Sequence, residues 1–227
     1  MTKNSLRAFT LIELLVVIAV IAILLSIAYP TYTSILERAK ITKDMNNLRQ
    51  VGLAIQTYLN DNDQVLPATN IWPGTTTAPV LYPKYVSTRK IFQSPFDSRA
   101  SLETDLAPVS YSINANMYIA ATATPPGIEG SMAKVVSPAS TILMAPTYNG
   151  DPKSAASWAG TATSAPDLPA GGGAGETTGT HSNGTQINAL FCDSHVETLK
   201  FGPSTDLGSF QDTGSDPLGL KHWDPTK

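Results

Sequence analysis

The sequence places one carboxylate inside a long apolar run near its N-terminus. Residues 9–29 are apolar, small or hydroxylated, except for Glu13. As a helix, this run would be roughly 31 Å long, which is about the thickness of a bilayer core. A charged carboxylate in such a segment costs about 2.5 to 3.5 kcal/mol on insertion scales, so it marks a candidate functional site. The run therefore predicts a membrane-spanning helix whose single charge needs a partner.

No basic residue lies on the same helical face as Glu13 and close to it. Arg7 is too far along the chain for a same-face contact, and the next basic residue is Arg38. Cleavage between Ala8 and Phe9 would create a positively charged α-amine at the membrane surface. In a stack of identical, staggered helices, the amine of one chain could reach the carboxylate of the next. This arrangement predicts that Glu13 forms half of an ion pair between subunits.

These residues resemble the class III signal peptide of type IV pilins and type II secretion pseudopilins. In that family a basic leader ends in Gly before Phe-Thr-Leu-Ile-Glu, and here Ala8 takes the place of that Gly. The resemblance implies that a prepilin peptidase cleaves between Ala8 and Phe9, that Phe9 is N-methylated, and that Glu13 registers subunits during assembly. It also implies a cytoplasmic leader at residues 1–8 and a single-pass protein of the bacterial inner membrane.

The same resemblance predicts the partners and the destination of the protein. It implies assembly into a periplasmic or surface filament with identical or related pilin subunits. An inner-membrane assembly platform and membrane lipid are the other implied partners.

Composition limits the remaining functions. Hydrophobic residues make up 42% of the 227 residues, and the net charge is −3. Removal of the leader, with Lys3 and Arg7, leaves 13 basic and 18 acidic side chains, a net charge of −5. No nucleic acid partner is expected from this balance. The single cysteine, Cys192, forbids an intramolecular disulfide, which favours pseudopilins over the many type IVa pilins that close their C-terminal region with one.

The pattern after Tyr29 predicts that the helix continues as an amphipathic segment over residues 30–60. Apolar residues recur at helical spacing, and polar residues are assigned to the other faces. The apolar set is Ile41, Met45, Leu48, Val51, Ile55, Tyr58 and Leu59, and the polar set is Lys40, Lys43, Asp44, Asn47 and Arg49. Pro30 lies at the join and is expected to kink or loosen the helix.

Residues 61–227 are predicted to form a globular, β-rich domain with a flexible loop at about 159–184. Strands are expected at 110–114 and 141–145, and a hairpin is expected from strands 187–192 and 195–201. The segment from His181 to Val196 is similar to the H-x-G-x-N-x-L-F-x-D-G-H-V pattern that closes a group of pilin-like proteins, with Ser194 in place of Gly. The segments 94–97 and 111–114 also look like the middle of that group. The expected fold class is α+β, with a long N-terminal helix packed on a small antiparallel sheet.

Two groups of side chains are candidate ligands for a metal ion. His181, Asp193 and His195 form one cluster, although Asp193 and His195 flank a predicted turn in which Asp commonly caps backbone amides. Weak calcium candidates, in addition to Asp193, lie in a C-terminal loop: Asp206, Asp212 and Asp216. Their spacing matches no EF-hand order, so no cofactor is expected, with a structural calcium ion as the alternative.

The sequence favours a structural role over an enzymatic one. No G-x-S-x-G elbow is present, and the glycines at 171–175 lack the G-K-[ST] ending of a phosphate-binding loop. We therefore expect a subunit of a type IV pilus-like filament, most specifically a type II secretion pseudopilin. The alternatives are a minor or tip pilin that binds a ligand or DNA, and a membrane-anchored periplasmic enzyme or metal-binding protein.

Overall fold

The computed structural model describes residues 10–67, 80–97, 110–118, 120–123, 127–146, 180–182, 185–200, 222 and 224–226. The chain divides into two compact units, Met1–Ala39 and Lys40–Lys227. The predicted loop at about 159–184 lies almost entirely outside the described residues.

One helix, α1, runs over Leu11–Asp61. It ends where Asp63 and Gln64 adopt left-handed backbone angles, with φ of 52° and 60°. The amide of Gln64 donates to the carbonyl of Leu59 at 3.0 Å, which satisfies one of the carbonyls that a helix end leaves unpaired. The run of short polar residues after Leu59 thus ends α1.

The second half of α1 buries an apolar stripe against the domain. Leu48, Val51, Ile55 and Leu59 are at most 1% exposed, as the periodicity predicts. The assignment of Asp44 and Asn47 to faces other than the apolar stripe is wrong, because both side chains are buried. Their burial is possible because partners elsewhere in the fold satisfy their polar atoms.

Four strands form one antiparallel sheet in the order β1-β2-β3-β4. Their bounds are Tyr111–Ile113 for β1, Ile142–Pro146 for β2, Gln186–Phe191 for β3 and Val196–Lys200 for β4. The predicted strands and the C-terminal hairpin are therefore present, with ends that differ by about one residue.

Side chains alternate across the sheet and contribute to two apolar clusters. Leu190 of β3 belongs to the large cluster that includes the buried stripe of α1, whereas Ala189 and Phe191 belong to a second cluster. The observed fold is α+β, with a long helix packed on a small antiparallel sheet, and confirms the predicted fold class.

Candidate functional site

Reciprocal hydrogen bonds between Thr10 and Glu13 close the N-terminus of α1. The backbone amide and the hydroxyl of Thr10 both donate to Glu13 Oε2, at 2.9 and 2.6 Å. The amide of Glu13 donates to Thr10 Oγ1 at 3.3 Å. This is a capping box, which satisfies donors that the first helical turn leaves unpaired. Glu13 therefore has a partner within its own chain.

The sequence-based prediction considers only basic partners and so misses Thr10. The signal is nevertheless local, because Thr10-x-x-Glu13 immediately precedes an apolar run, which is the pattern of a capping box. Both donors from Thr10 are uncharged, so the capping box leaves the negative charge of Glu13 without a counter-ion from that residue. The carboxylate can thus cap the helix and still attract a cation.

The first half of α1 exposes large apolar side chains. Between Leu11 and Leu36 their exposed fractions run from 44% to 82%. Contiguous apolar surface of this extent marks contact with a membrane or with other protein. By length and composition, α1 is the one helix among the described residues that is long enough and apolar enough to cross a membrane.

The predicted processing residues Ala8 and Phe9 lie outside the described residues. Pro30, the predicted flexible point, lies inside α1. The carbonyl of Pro30 accepts hydrogen bonds from the hydroxyls of Thr33 and Ser34, each at 3.0 Å. Such side-chain bonds compete with the backbone ladder. The predicted loosening at Pro30 and the predicted cleavage site both remain predictions.

A second polar site lies inside the domain, around the carboxyl group of Asp44. Asp44 Oδ1 accepts hydrogen bonds from the hydroxyls of Ser94 and Tyr111, each at 2.5 Å. Asp44 Oδ2 accepts one from Asn188 Nδ2 at 2.8 Å, and Asn188 Oδ1 in turn accepts one from the hydroxyl of Thr198 at 2.7 Å. Burial raises the pKa of Asp44, and this effect exceeds the opposing effect of the three hydrogen bonds.

The donors to Asp44 come from three separate stretches of the domain. Ser94 belongs to the segment 94–97, Tyr111 to the segment 111–114, and Asn188 to the C-terminal pattern. Each stretch resembles the pilin-like group, and the fold brings all three to one carboxyl group on α1. The network therefore ties the helix to β1 and β3 and has a structural role.

The three candidate metal ligands His181, Asp193 and His195 do not form one site. Among the described residues, no group of three His, Cys, Asp or Glu side chains is placed to hold a metal ion. His181 is buried and stacks on Phe96, with ring centroids 5.2 Å apart. Asp193 Oδ1 instead accepts a bond from the backbone amide of His195 at 3.1 Å, as expected of a turn residue. The calcium candidates Asp206, Asp212 and Asp216 lie outside the described residues.

Cys192 is a buried free thiol at the end of β3. Its burial raises the pKa of the thiol to about 12, so the group stays protonated and unreactive at neutral pH. Cys192 therefore packs as a small apolar side chain.

Comparison with known proteins identifies the N-terminal segment. The family described as "Prokaryotic N-terminal methylation motif" matches residues 3–29, which include the capping box and the apolar run. Over part of its length, the chain is similar to type IV fimbrial proteins. It is 39% identical over 62 residues to the type IV major fimbrial protein FimA of Dichelobacter nodosus, a stretch that covers 27% of this chain and 40% of that one.

Two further relatives extend the similarity. The pilin-like chain is 38% identical over 58 residues to a probable minor fimbrial protein of Dichelobacter nodosus, covering 26% of this chain and 36% of that one. It is 37% identical over 87 residues to the fimbrial protein EcpC of Eikenella corrodens, covering 38% of this chain and 55% of that one. The chain thus spans about half or less of the length of these relatives. No solved structure matches it.

Proposed function

We propose that this pilin-like chain is the structural subunit of a type IV pilus-like filament. The observation that carries the proposal is Glu13, a capped carboxylate at the start of an exposed apolar helix inside the matched methylation motif. The chain's part in assembly is to anchor in the inner membrane by residues 9–29 and then to pack that helix against other subunits. No catalytic step is assigned to it.

Cleavage between Ala8 and Phe9 by a prepilin peptidase supplies a positive counter-charge for the carboxylate of Glu13. The new α-amine is a cation at the start of the apolar segment, and N-methylation leaves it cationic. Pairing this amine with Glu13 of the neighbouring subunit neutralises both charges inside an apolar bundle, where a lone charge is costly. The inner-membrane assembly platform and membrane lipid are the further partners in this scheme.

The processing step can be tested by co-expression with a prepilin peptidase, followed by intact-mass and N-terminal analysis. We expect loss of residues 1–8 and a gain of one methyl group on Phe9. A chain that keeps its leader, or that is cut after Tyr29, would show that the proposal is wrong. The variant Ala8→Gly, which restores the usual residue, serves as a positive control for peptidase activity.

Two single variants separate helix capping from charge pairing. Glu13→Gln keeps an acceptor for Thr10 and so preserves the capping box, but it removes the charge. Thr10→Ala removes the capping hydroxyl and keeps the charge. We expect Glu13→Gln to insert into the membrane and fail to enter filaments, whereas Thr10→Ala still assembles. Normal incorporation of Glu13→Gln, measured by immunoblotting of sheared filaments, would contradict the ion pair.

Within this class, we propose a pseudopilin of a type II secretion system. The support is the lone thiol Cys192, which excludes the intramolecular disulfide common among type IVa pilins. Deletion of the gene should block export of a secreted enzyme and leave surface pili in place. Loss of surface pili with normal export would instead identify a pilin, in keeping with the names of the relatives.

A further inference from the structure

An open groove of about 390 Å³ lies between the second half of α1 and the segment from Lys90 to Asp97. Lys43 and Asn47 line it from α1, and Lys90 lines it from the short 3₁₀-helix Arg89–Phe92. The other lining residues are Ile91, Gln93, Ser94, Pro95 and Asp97. The groove therefore combines two ammonium groups with polar and apolar walls.

The exposed charge that the described residues place at this groove is positive. Lys43 and Lys90 are exposed, and among the described residues neither has an ion pair. The one carboxylate in the lining, Asp97, is 5% exposed and accepts a hydrogen bond from the hydroxyl of Ser110 at 2.6 Å. A third cation, Lys40, lies near the groove, with Nζ 6.0 Å from the ring centroid of Phe96.

Lys84 provides the contrast within the same domain. Its Nζ lies 3.2 Å from Asp61 Oδ2, so its charge is matched inside the chain. The groove lysines have no such match within the part of the chain that the structure describes, although the chain as a whole is acidic, with 18 acidic and 15 basic side chains. A positive groove on an acidic protein is complementary to the surface of the protein itself.

We propose that this groove receives a carboxylate from a second copy of the chain and is a contact between subunits outside the membrane. The inference rests on the proposed filament function, and it adds a contact site that is independent of Glu13. Single exposed ion pairs are weak, so each groove adds little by itself. Repetition along a filament makes the contact a device for register and selectivity.

Zero-length carbodiimide cross-linking of filaments can test the contact. Filaments are assembled from a mixture of ¹⁴N- and ¹⁵N-labelled full-length subunits, and the cross-links are mapped by mass spectrometry. We expect isopeptide bonds that join Lys43 or Lys90 of one isotope to an Asp or Glu of the other. Lys84 should give a same-isotope product with Asp61, which is the internal control. Filaments in which Lys84 reacts and both groove lysines give no mixed-isotope product would overturn the proposal.

Charge reversal supplies a second measurement. We expect the double variant Lys43→Glu/Lys90→Glu to lower filament yield by roughly five- to tenfold, and the loss to shrink as salt rises. Lys134→Glu changes an exposed lysine outside the groove and should leave the yield unchanged. A reversal at the cross-linked carboxylate should restore assembly of the double variant.

The outcomes for the two proposals are distinguishable. If the wild-type chain forms no filaments under peptidase and platform co-expression, the proposed function fails. If filaments form and the double variant assembles like wild type, the groove inference alone is wrong. Normal assembly combined with loss of binding to DNA or to anionic vesicles would also overturn it, because the occupant would then be a different molecule.

Discussion

Asp44 joins α1 to the sheet through one buried carboxyl group. Three donors from Ser94, Tyr111 and Asn188 converge on it, so its removal would leave several buried polar groups without a partner. An amphipathic pattern shows only that Asp44 is polar and therefore assigns it to a face other than the apolar stripe. The contacts of Asp44 with three distant segments belong to the tertiary structure and cannot be deduced from the periodicity of the sequence.

The raised pKa of Asp44 predicts a pH dependence of stability. The pKa of Asp44 in the folded chain lies above its ordinary value of 3.8. Between these two pKa values, the native state therefore binds more protons than the unfolded state. The contribution of Asp44 to the free energy of unfolding is therefore fully present below about pH 3.8 and is lost as pH rises through the folded pKa. Asp44→Asn cannot titrate and should remove this slope.

Urea unfolding of the full chain in detergent micelles, repeated from pH 4 to pH 8, measures that slope. The difference in unfolding free energy between wild type and Asp44→Asn should become less favourable to wild type as pH rises. A constant difference over this range would contradict a raised pKa. The comparison is of slopes, so a uniform loss of stability in the variant does not affect it.

Ser194 has a backbone angle that favours glycine. Its φ is 73° in the turn between β3 and β4, at the position where the resembling group carries Gly. A left-handed angle costs a residue with a side chain about 1 kcal/mol or more, partly offset by the greater entropy of Gly in the unfolded chain. We expect Ser194→Gly to raise the free energy of unfolding by about 0.5 kcal/mol, measured by urea unfolding.

Ser131 offers the matched control for this change. Its φ is −76°, which is an ordinary value for any residue. Ser131→Gly should therefore lower stability by about 0.5 to 1 kcal/mol through unfolded-state entropy alone. Equal and negative effects at both positions would show that the angle at Ser194 carries no cost.

At the scale of elements, the sequence predicted the helix, the four strands and the hairpin because each has a local pattern. Apolar spacing identified the buried stripe of α1, and short runs of strand-forming residues between turn residues identified the strands. The start of β4 moved by one residue, from His195 to Val196, since Asp193 and His195 bond to each other and keep His195 in the turn. The hydrogen-bond partners of Asp44 lie in other elements, so they could be identified only from the structure.

The contact between α1 and β3 depends on Gly52. A Cβ built at this glycine would lie 2.9 Å from Leu190 Cδ1, and Leu190 is fully buried. An alanine in its place would gain about 1 kcal/mol of helix propensity, but overpacking a core costs about 1 to 3 kcal/mol. We expect Gly52→Ala to destabilise the chain by about 1 kcal/mol in urea unfolding.

The variant Leu190→Val tests the cause of that effect. It shortens the side chain that the added methyl group would meet, so Gly52→Ala should be close to neutral or stabilising in this background. The double-mutant cycle should therefore give a favourable coupling energy of about 1 kcal/mol. Additive effects would mean that the clash with Leu190 is not the reason for glycine at this position.

At the scale of the whole molecule, the two units differ in what they bury. The two apolar clusters of the domain draw on residues from Leu48 onward, and the apolar side chains between Leu11 and Leu36 stay exposed. Between Leu11 and Leu36, therefore, none of the described residues is among the buried members of the two clusters. The apolar surface of this segment is available for membrane and filament, and the domain's stability rests on the second unit.

This division predicts that a fragment of residues 34–227 folds without detergent. It keeps Asp44, Asn47 and every member of the two apolar clusters, and it omits most of the exposed apolar helix. Its thermal unfolding, followed by circular dichroism, should be cooperative, with a midpoint within a few degrees of that of the full chain in micelles.

A fragment of residues 50–227 is the control, because it lacks Asp44 and Leu48 and leaves Tyr111 and Asn188 without their buried acceptor. That fragment should show no cooperative transition. If the two fragments unfold alike, or if residues 34–227 aggregate, the first half of α1 would have a part in the fold of the domain that its exposed surface does not indicate.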